Sequence, residues 1–571
     1  ASHLILQGGR LKTTTDMTLN SNRGLLLNAN SSSYLEVADG TTLTYSGIIA
    51  GTNAGYDLVF NSSGTTGTLV LGGTSTYVGS TKIYNGTLSI SDERNLGSTS
   101  CNSYDCIELY NAGVLLITDD VTFGSNQGIE VSNGDNAKIL IANTKTLTLN
   151  HAFYNGSGSS GSNSYVLTIN DGSHAGKLHM TTSALAENSY DYYWIFNDST
   201  NGGLVVANGS LQLDHERNLT YDNSSSYHSY LTMASGTTLI LNYTDTQSYL
   251  DLILQGATVE LLQTQTWSGD VTLSGTNTFN VAATKTWTTT SSGGWRNASG
   301  ETGAITKTGD GILVLGNSTS TWSGLTTLTA GTLRTNVNNA LGSSAGGVQV
   351  NGGVLDVRHT LADDITLNGG TLYGYGGSIS STITLSQNST IEAGHTLTIS
   401  GVITDGDNSY SVTKTGTGLL DLTGSSGNTY DGGTNINAGY IRLQNSDNNL
   451  GSAAVVVASG TGLDIYNRSI SNNITITGAY SATAGALYTT STGTFSGSVT
   501  MAAAASIGGS GTLTVSGVID DGGNNYLLTK IGTGYLYPTA TNTYGGGTLI
   551  HDGYLGIADD VNLGDVPSVT D

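Results

Sequence analysis

The chain has 571 residues, with 18 basic and 42 acidic side chains and a formal net charge of −24; that charge repels a phosphate backbone and excludes nucleic acid as a partner class. Only 11% of residues are charged, glycine fills 80 positions and proline two, yet 37% of residues are hydrophobic. The mixture excludes a disordered polar chain, and the absence of any run of about 18 apolar residues excludes a membrane-spanning helix.

The N-terminal ASHLILQGG enters strand-like sequence at once, without the basic region and apolar stretch of a signal peptide. Apolar residues then recur at every second position behind glycine turn signals. Leu88-Ser89-Ile90-Ser91 follows Asn85-Gly86, Leu211-Gln212-Leu213-Asp214 follows Asn208-Gly209, and Tyr440-Ile441-Arg442-Leu443 follows Ala438-Gly439. Period two with one dry face is the strand signature, and glycine supplies the positive φ that the corner needs. Residues 45–100 hold the first copy of a longer repeat, closed by Asn95-Leu96-Gly97.

Cys101 and Cys106 come next, with four residues between them. A structural disulfide pinning a small loop, formed in an oxidising compartment, is the plainer reading. A thiol redox pair or half a metal site is the alternative, although no further cysteine exists to complete a zinc site. Residues 180–300 lack the glycine-turn pattern and are rich in aromatics, which predicts irregular coils or an inserted hairpin. Tyr192, Trp194, Trp287 and Trp295 are candidate platforms for a glycan or another fibre; core packing is the competing role.

Residues 300–571 carry the clearest copies, beginning at Lys307, Lys414 and Lys530. Ser400–Leu420 recurs as Ser516–Leu536, an offset of 516 − 400 = 116 residues. Short strands with regular corners wind as a solenoid in which each coil adds one strand to each of two or three parallel sheets. The expected fold is therefore all-β, a parallel β-helix (β-solenoid) running as one continuous elongated rod through residues 1–571, at roughly 20–25 residues per coil.

The repeat reads Lys414, Gly416, Gly418, Leu420, Leu422, then Thr429-Tyr430-Asp431-Gly432-Gly433-Thr434, then Gly439, Ile441 and Asn449-Leu450-Gly451. The last copy keeps Lys530, Gly532, Gly534, Leu536, Thr543-Tyr544-Gly545-Gly546-Gly547-Thr548, Gly553, Leu555 and Asn562-Leu563-Gly564, while the first copy has a residue near Thr66 in place of the lysine. This pattern resembles the passenger-associated repeat of bacterial autotransporters. The resemblance implies a right-handed parallel β-helix displayed on, or shed from, a bacterial surface.

Signatures of catalysis are missing. There is no HExxH and no Walker loop, and the nine histidines are scattered. Asp405, Asp407, Asp520 and Asp521 recur at similar points of the repeat, so they mark either a repeated calcium site, built from hard oxygen ligands, or a turn whose carboxylates bond their own backbone. Calcium is the one cofactor left open. The expected function is that of a secreted or cell-surface structural protein, not an enzyme. It would act in adhesion, in self-association, or as a fibre subunit joined head to tail through end coils. Its partners would be further copies of itself, surface glycans, or host and matrix surfaces. The alternative is a polysaccharide-active enzyme or glycan-binding module on the same scaffold.

Overall fold

The structure, a computed structural model, describes residues 3–28, 31–51, 55–97, 106–125, 127–132, 136–151, 153–155, 166–181, 203–215, 219, 229–244, 246–247 and 250–565. The chain divides into two compact units, Ala1–Ala304 and Ile305–Asp571. Each is a β-solenoid. Strands of two to eleven residues pair in parallel with the strand one coil on, and among the described residues the only helical segments are the 3-10 turns Glu93–Leu96 and Asp560–Leu563.

The alternation seen in the sequence becomes unbroken columns of inward side chains. In the first unit, Leu43 pairs with Leu69, and the column continues through Leu88, Leu115, Ile139, Ile169, Val206, Met233 and Leu254 to Leu273. All ten side chains are buried. Each stacks on its neighbours about 4.8 Å away, so a core one side chain wide is continuous along the whole stack. The second unit has the same construction: Leu313, Leu333, Leu355, Leu372 and Ile391 lead to Lys414, which is followed by Ile436, Val457, Ile476 and Met501.

Some coils are shorter than the repeat suggests. Val348 pairs with Ile365, Ile365 with Ile383 and Ile383 with Ile403, steps of 17, 18 and 20 residues. Of residues 180–300, expected to be irregular, 182–202, 216–218, 220–228, 245 and 248–249 lie outside the described residues; in the described part Ser229–Met233, Leu250–Gln255 and Val271–Val281 follow one another in register as regular coils. Positive-φ glycines still turn the corners there, at Gly236, Gly256, Gly275 and Gly300. The register also corrects the first repeat copy. Phe60 pairs with Ile83 as Lys414 pairs with Ile436, so buried Phe60, not a residue near Thr66, stands where the later copies have lysine.

The central and closing parts of the repeat motif hold a buried ring in place. In each of four copies a fully buried ring reaches the threonine four residues on: Tyr77 with Thr81 at 2.5 Å, Tyr430 with Thr434 and Tyr544 with Thr548 at 2.6 Å, and the Trp322 indole N–H to Thr326 at 3.4 Å. The closing glycine of each copy, Gly97, Gly342, Gly451 or Gly564, lies against that ring with positive φ and has no room for a Cβ. The polar tip of each ring thus finds a partner inside an apolar core.

Candidate functional site: the buried lysines and the outer sheet face

The lysine that opens each later copy is buried in a column of aliphatic side chains. Lys414 Nζ donates to the carbonyls of Thr415 (2.8 Å), Gly416 (2.7 Å) and Ala438 (2.9 Å). Lys307 does the same with Thr308, Gly309 and Ala330, and Lys530 with Ile531, Gly532 and Asp552. Two of the three acceptors belong to the lysine's own corner and the third to the corner one coil on. The ammonium therefore ties adjacent coils together and satisfies all three of its donors. Burial pushes Lys307 and Lys414 down to about 8, opposed by Asp310 and Glu392 respectively.

A second buried ionisable group occupies another corner. Asn472, two residues before Ile474, donates to the carbonyls of Gly451 (3.0 Å) and Ala453 (2.7 Å) in the preceding coil. Asp363 stands at the same distance before Ile365 and is 2% exposed. Burial raises its carboxyl to about 6, helped by the charge of adjacent Asp364.

The four aspartates considered for calcium are not brought together. Asp405 accepts from the amides of Tyr410 (2.9 Å) and Asp431 (3.2 Å). Asp521 accepts from Gly523 (2.9 Å), Tyr526 (2.8 Å) and Gly545 (3.0 Å). These two share one repeat position, 521 − 405 = 116 residues apart, whereas Asp520 meets the Thr543 hydroxyl at 2.7 Å and Asp407 is exposed. Burial pushes the Asp521 carboxyl up, but the amides of Gly545, Tyr526, Gly523 and Asn524 outweigh it and hold the group below the ordinary value. The Asp405 and Asp521 carboxylates thus bond amides of their own turn and of the next coil, and no group of three or more His, Cys, Asp or Glu placed to hold a metal ion occurs among the described residues.

The aromatic candidates need correction. Trp287 and Trp295 are core residues, 0% and 1% exposed, packed with Trp267 and Phe279 at ring separations of 4.8 to 6.2 Å. They present no face to a sugar, because each sits at an inward position of its strand. Tyr192, Trp194 and Cys101 lie outside the described residues; Cys106 is buried at the start of Ile107–Ile117.

The polar side chains that matter point outward. In the second unit Asp464 takes Arg442 Nε at 2.9 Å together with the amide and hydroxyl of Thr490, and Asp356 takes both Arg334 and Arg358. In the first unit Asp214 gathers His179, Gln212 and Asn242. Sequence reasoning missed the arginine–aspartate ladders. Their signal is an arginine at an outward strand position and an aspartate 22 residues later, as in 334 to 356 and 442 to 464.

A stack of parallel coils whose buried rings, lysines and glycines repeat defines a repeat-built β-solenoid protein. The sequence pattern of the passenger-associated-transport-repeat family matches it four times, over residues 66–90, 305–334, 412–443 and 528–557. These four segments match that repeat, and with the β-solenoid fold the chain is similar to an autotransporter passenger domain. No curated protein and no solved structure matches the chain. Among the described residues no helix is long and apolar enough to cross a membrane.

Proposed function

We propose that the chain is a non-enzymatic passenger exposed at, or released from, a bacterial surface, where it acts in adhesion and self-association. The matched repeats imply a secreted or cell-surface location. The observation that carries self-association is the state of one inward column. Leu397, Leu420, Ile441, Leu463, Leu487 and Ile507 are buried along it, and Lys530 follows, but its last member, Ile550, is 53% exposed. Leu549 and Tyr554 beside it are exposed too, and among the described residues no strand pairs with the outer edge of Thr548–Ile550. Such an edge takes a further coil, whether from continuing sequence of the same chain or from a second copy.

Charge supports a second copy as the occupant. Residues 548–565 carry Asp552, Asp559, Asp560 and Asp565 and no lysine or arginine, whereas residues 3–28 carry Arg10, Lys12 and Arg23 against Asp16. Head-to-tail contact of this kind is heterologous and grows filaments. Negative-stain electron microscopy of the chain, at low and high salt and with and without calcium, tests it. Filaments that shorten at high salt and vanish in Ile550→Asp are expected. Single particles under every condition overturn the self-association reading and leave adhesion to be tested by surface-binding assays. In an oxidising exterior Cys101 and Cys106 are read as a disulfide; intact mass before and after reduction and alkylation checks it.

A further inference from the structure

The outer face of the second unit carries a cluster that the repeat does not require. Arg334, Asp356 and Tyr373 are register partners on successive strands, and Arg358 lies two residues beyond Asp356 on the same face. Buried Asp356 accepts from Arg334 Nε at 2.7 Å and from Arg358 Nε at 3.1 and 3.2 Å. Both guanidiniums thus meet the protein through Nε, and their terminal nitrogens donate to no other described residue. The Arg358 guanidinium lies 5.4 Å from the ring centre of Tyr375, and the ring of exposed His395 lies 5.6 Å from it. Tyr375 is 49% exposed.

Two guanidiniums share one carboxylate here, so the patch offers spare forked donors in a chain whose net charge is −24. Such a fork matches a carboxylate bidentately. An exposed tyrosine ring beside it, held by a cation stacked on it, gives a flat apolar surface of the size of a sugar ring. The net charge of the whole molecule disfavours every polyanion alike, so the local arginine fork and the tyrosine ring, not the overall field, select the ligand. We propose that Arg334, Arg358, Tyr375 and His395 form a binding site for a carboxylated saccharide, such as a uronic acid chain. The arginines take the carboxylate and Tyr375 packs on the pyranose. The inference rests on the surface placement argued above, and it names the adhesion partner.

Titration calorimetry of the full chain with trigalacturonate and with its methyl ester, at low salt, tests this. The acid should bind at least tenfold more tightly than the ester and lose affinity as salt rises. Arg358→Gln and Tyr375→Ala should each weaken binding about tenfold. Tyr375 is an exposed residue, so its variant keeps the test valid if Arg358→Gln, which withdraws a partner from buried Asp356, fails to fold by circular dichroism. Equal binding of acid and ester, no binding of the acid, or full affinity in Tyr375→Ala overturns the proposal. Micrographs of the same samples keep the two readings apart: filaments without saccharide binding overturn this site alone.

Discussion

A lysine inside an aliphatic column is costly unless every N–H is used, and in this chain each is. Lys414 spans two corners with three carbonyl acceptors, so methionine in its place keeps the volume and strands three buried acceptors. Relief of ammonium desolvation favours Lys414→Met, but loss of three charge-assisted bonds outweighs it; the variant should lose about 2–4 kcal/mol in chemical denaturation at pH 7. Lys414→Gln, which keeps two donors, should lose less. The sign of the pH effect follows from the lowered value. The native lysine releases its proton near 8 and the unfolded one near 10.5, so this group's contribution to stability rises between those two pH values. Asp363 runs the other way. Its native carboxyl holds a proton up to about 6 and its unfolded one only to 3.8, so stability falls as pH rises across that window, by about 3 kcal/mol. Asp363→Asn, which supplies the donor that Asn472 already has, should raise the thermal midpoint at pH 7 and leave it unchanged at pH 4. Equal midpoints at pH 7 would refute the assignment.

At the scale of elements, one run of coils in the first unit is packed with rings where other coils hold leucine and isoleucine. Trp267, Trp287, Trp295 and Phe279 fill adjacent rungs, and the indole N–H groups of Trp267 and Trp287 find no acceptor there. The area they bury outweighs those lost bonds. Tryptophan emission should be strongly blue-shifted and poorly quenched by acrylamide, since the four described tryptophans are at most 1% exposed. Trp287→Ala should cost about 3–5 kcal/mol through the cavity it leaves. The strand face was legible in the sequence wherever alternation was clean, as at Tyr440-Ile441-Arg442-Leu443. It was not legible at Trp287, because a tryptophan suits an exposed platform and a core rung equally well, and only pairing decides between them. The candidate site divides in the same way. Lys414 stood out as a repeated letter, but its inward direction and carbonyl partners emerge only once Ile391 and Ile436 are placed above and below it. The Arg334–Asp356–Arg358–Tyr375 patch is spread over three coils, so no local motif announces it.

At the scale of the whole molecule, the second unit shows why a 116-residue period is not a simple stack. Lys307 heads the column of Leu328, Val350, Leu367 and Leu385. Lys414 stands in the column of Ile436, Val457, Ile476 and Met501, and Lys530 in the column of Ile441, Leu463, Leu487 and Ile507. Successive repeats therefore fall on different columns, and the coil-tying lysines are distributed around the core rather than aligned along one side. Contacts run only between neighbouring coils, so stability is close to a sum over coils. Whole coils can then be removed, whereas fractions of a coil cannot. Deleting residues 500–519 joins Val499 to Asp520, the residue that follows Val499's own register partner Ile519, and brings Thr492 under Tyr535 where Thr512 had been. That variant should keep its far-ultraviolet circular dichroism per residue and a cooperative unfolding transition, with a slightly lower midpoint. Deleting residues 500–509 alone leaves half a coil, misaligns every column beyond it, and should abolish the cooperative transition of the second unit. If both deletions behaved alike, the coil-by-coil account of stability would fail.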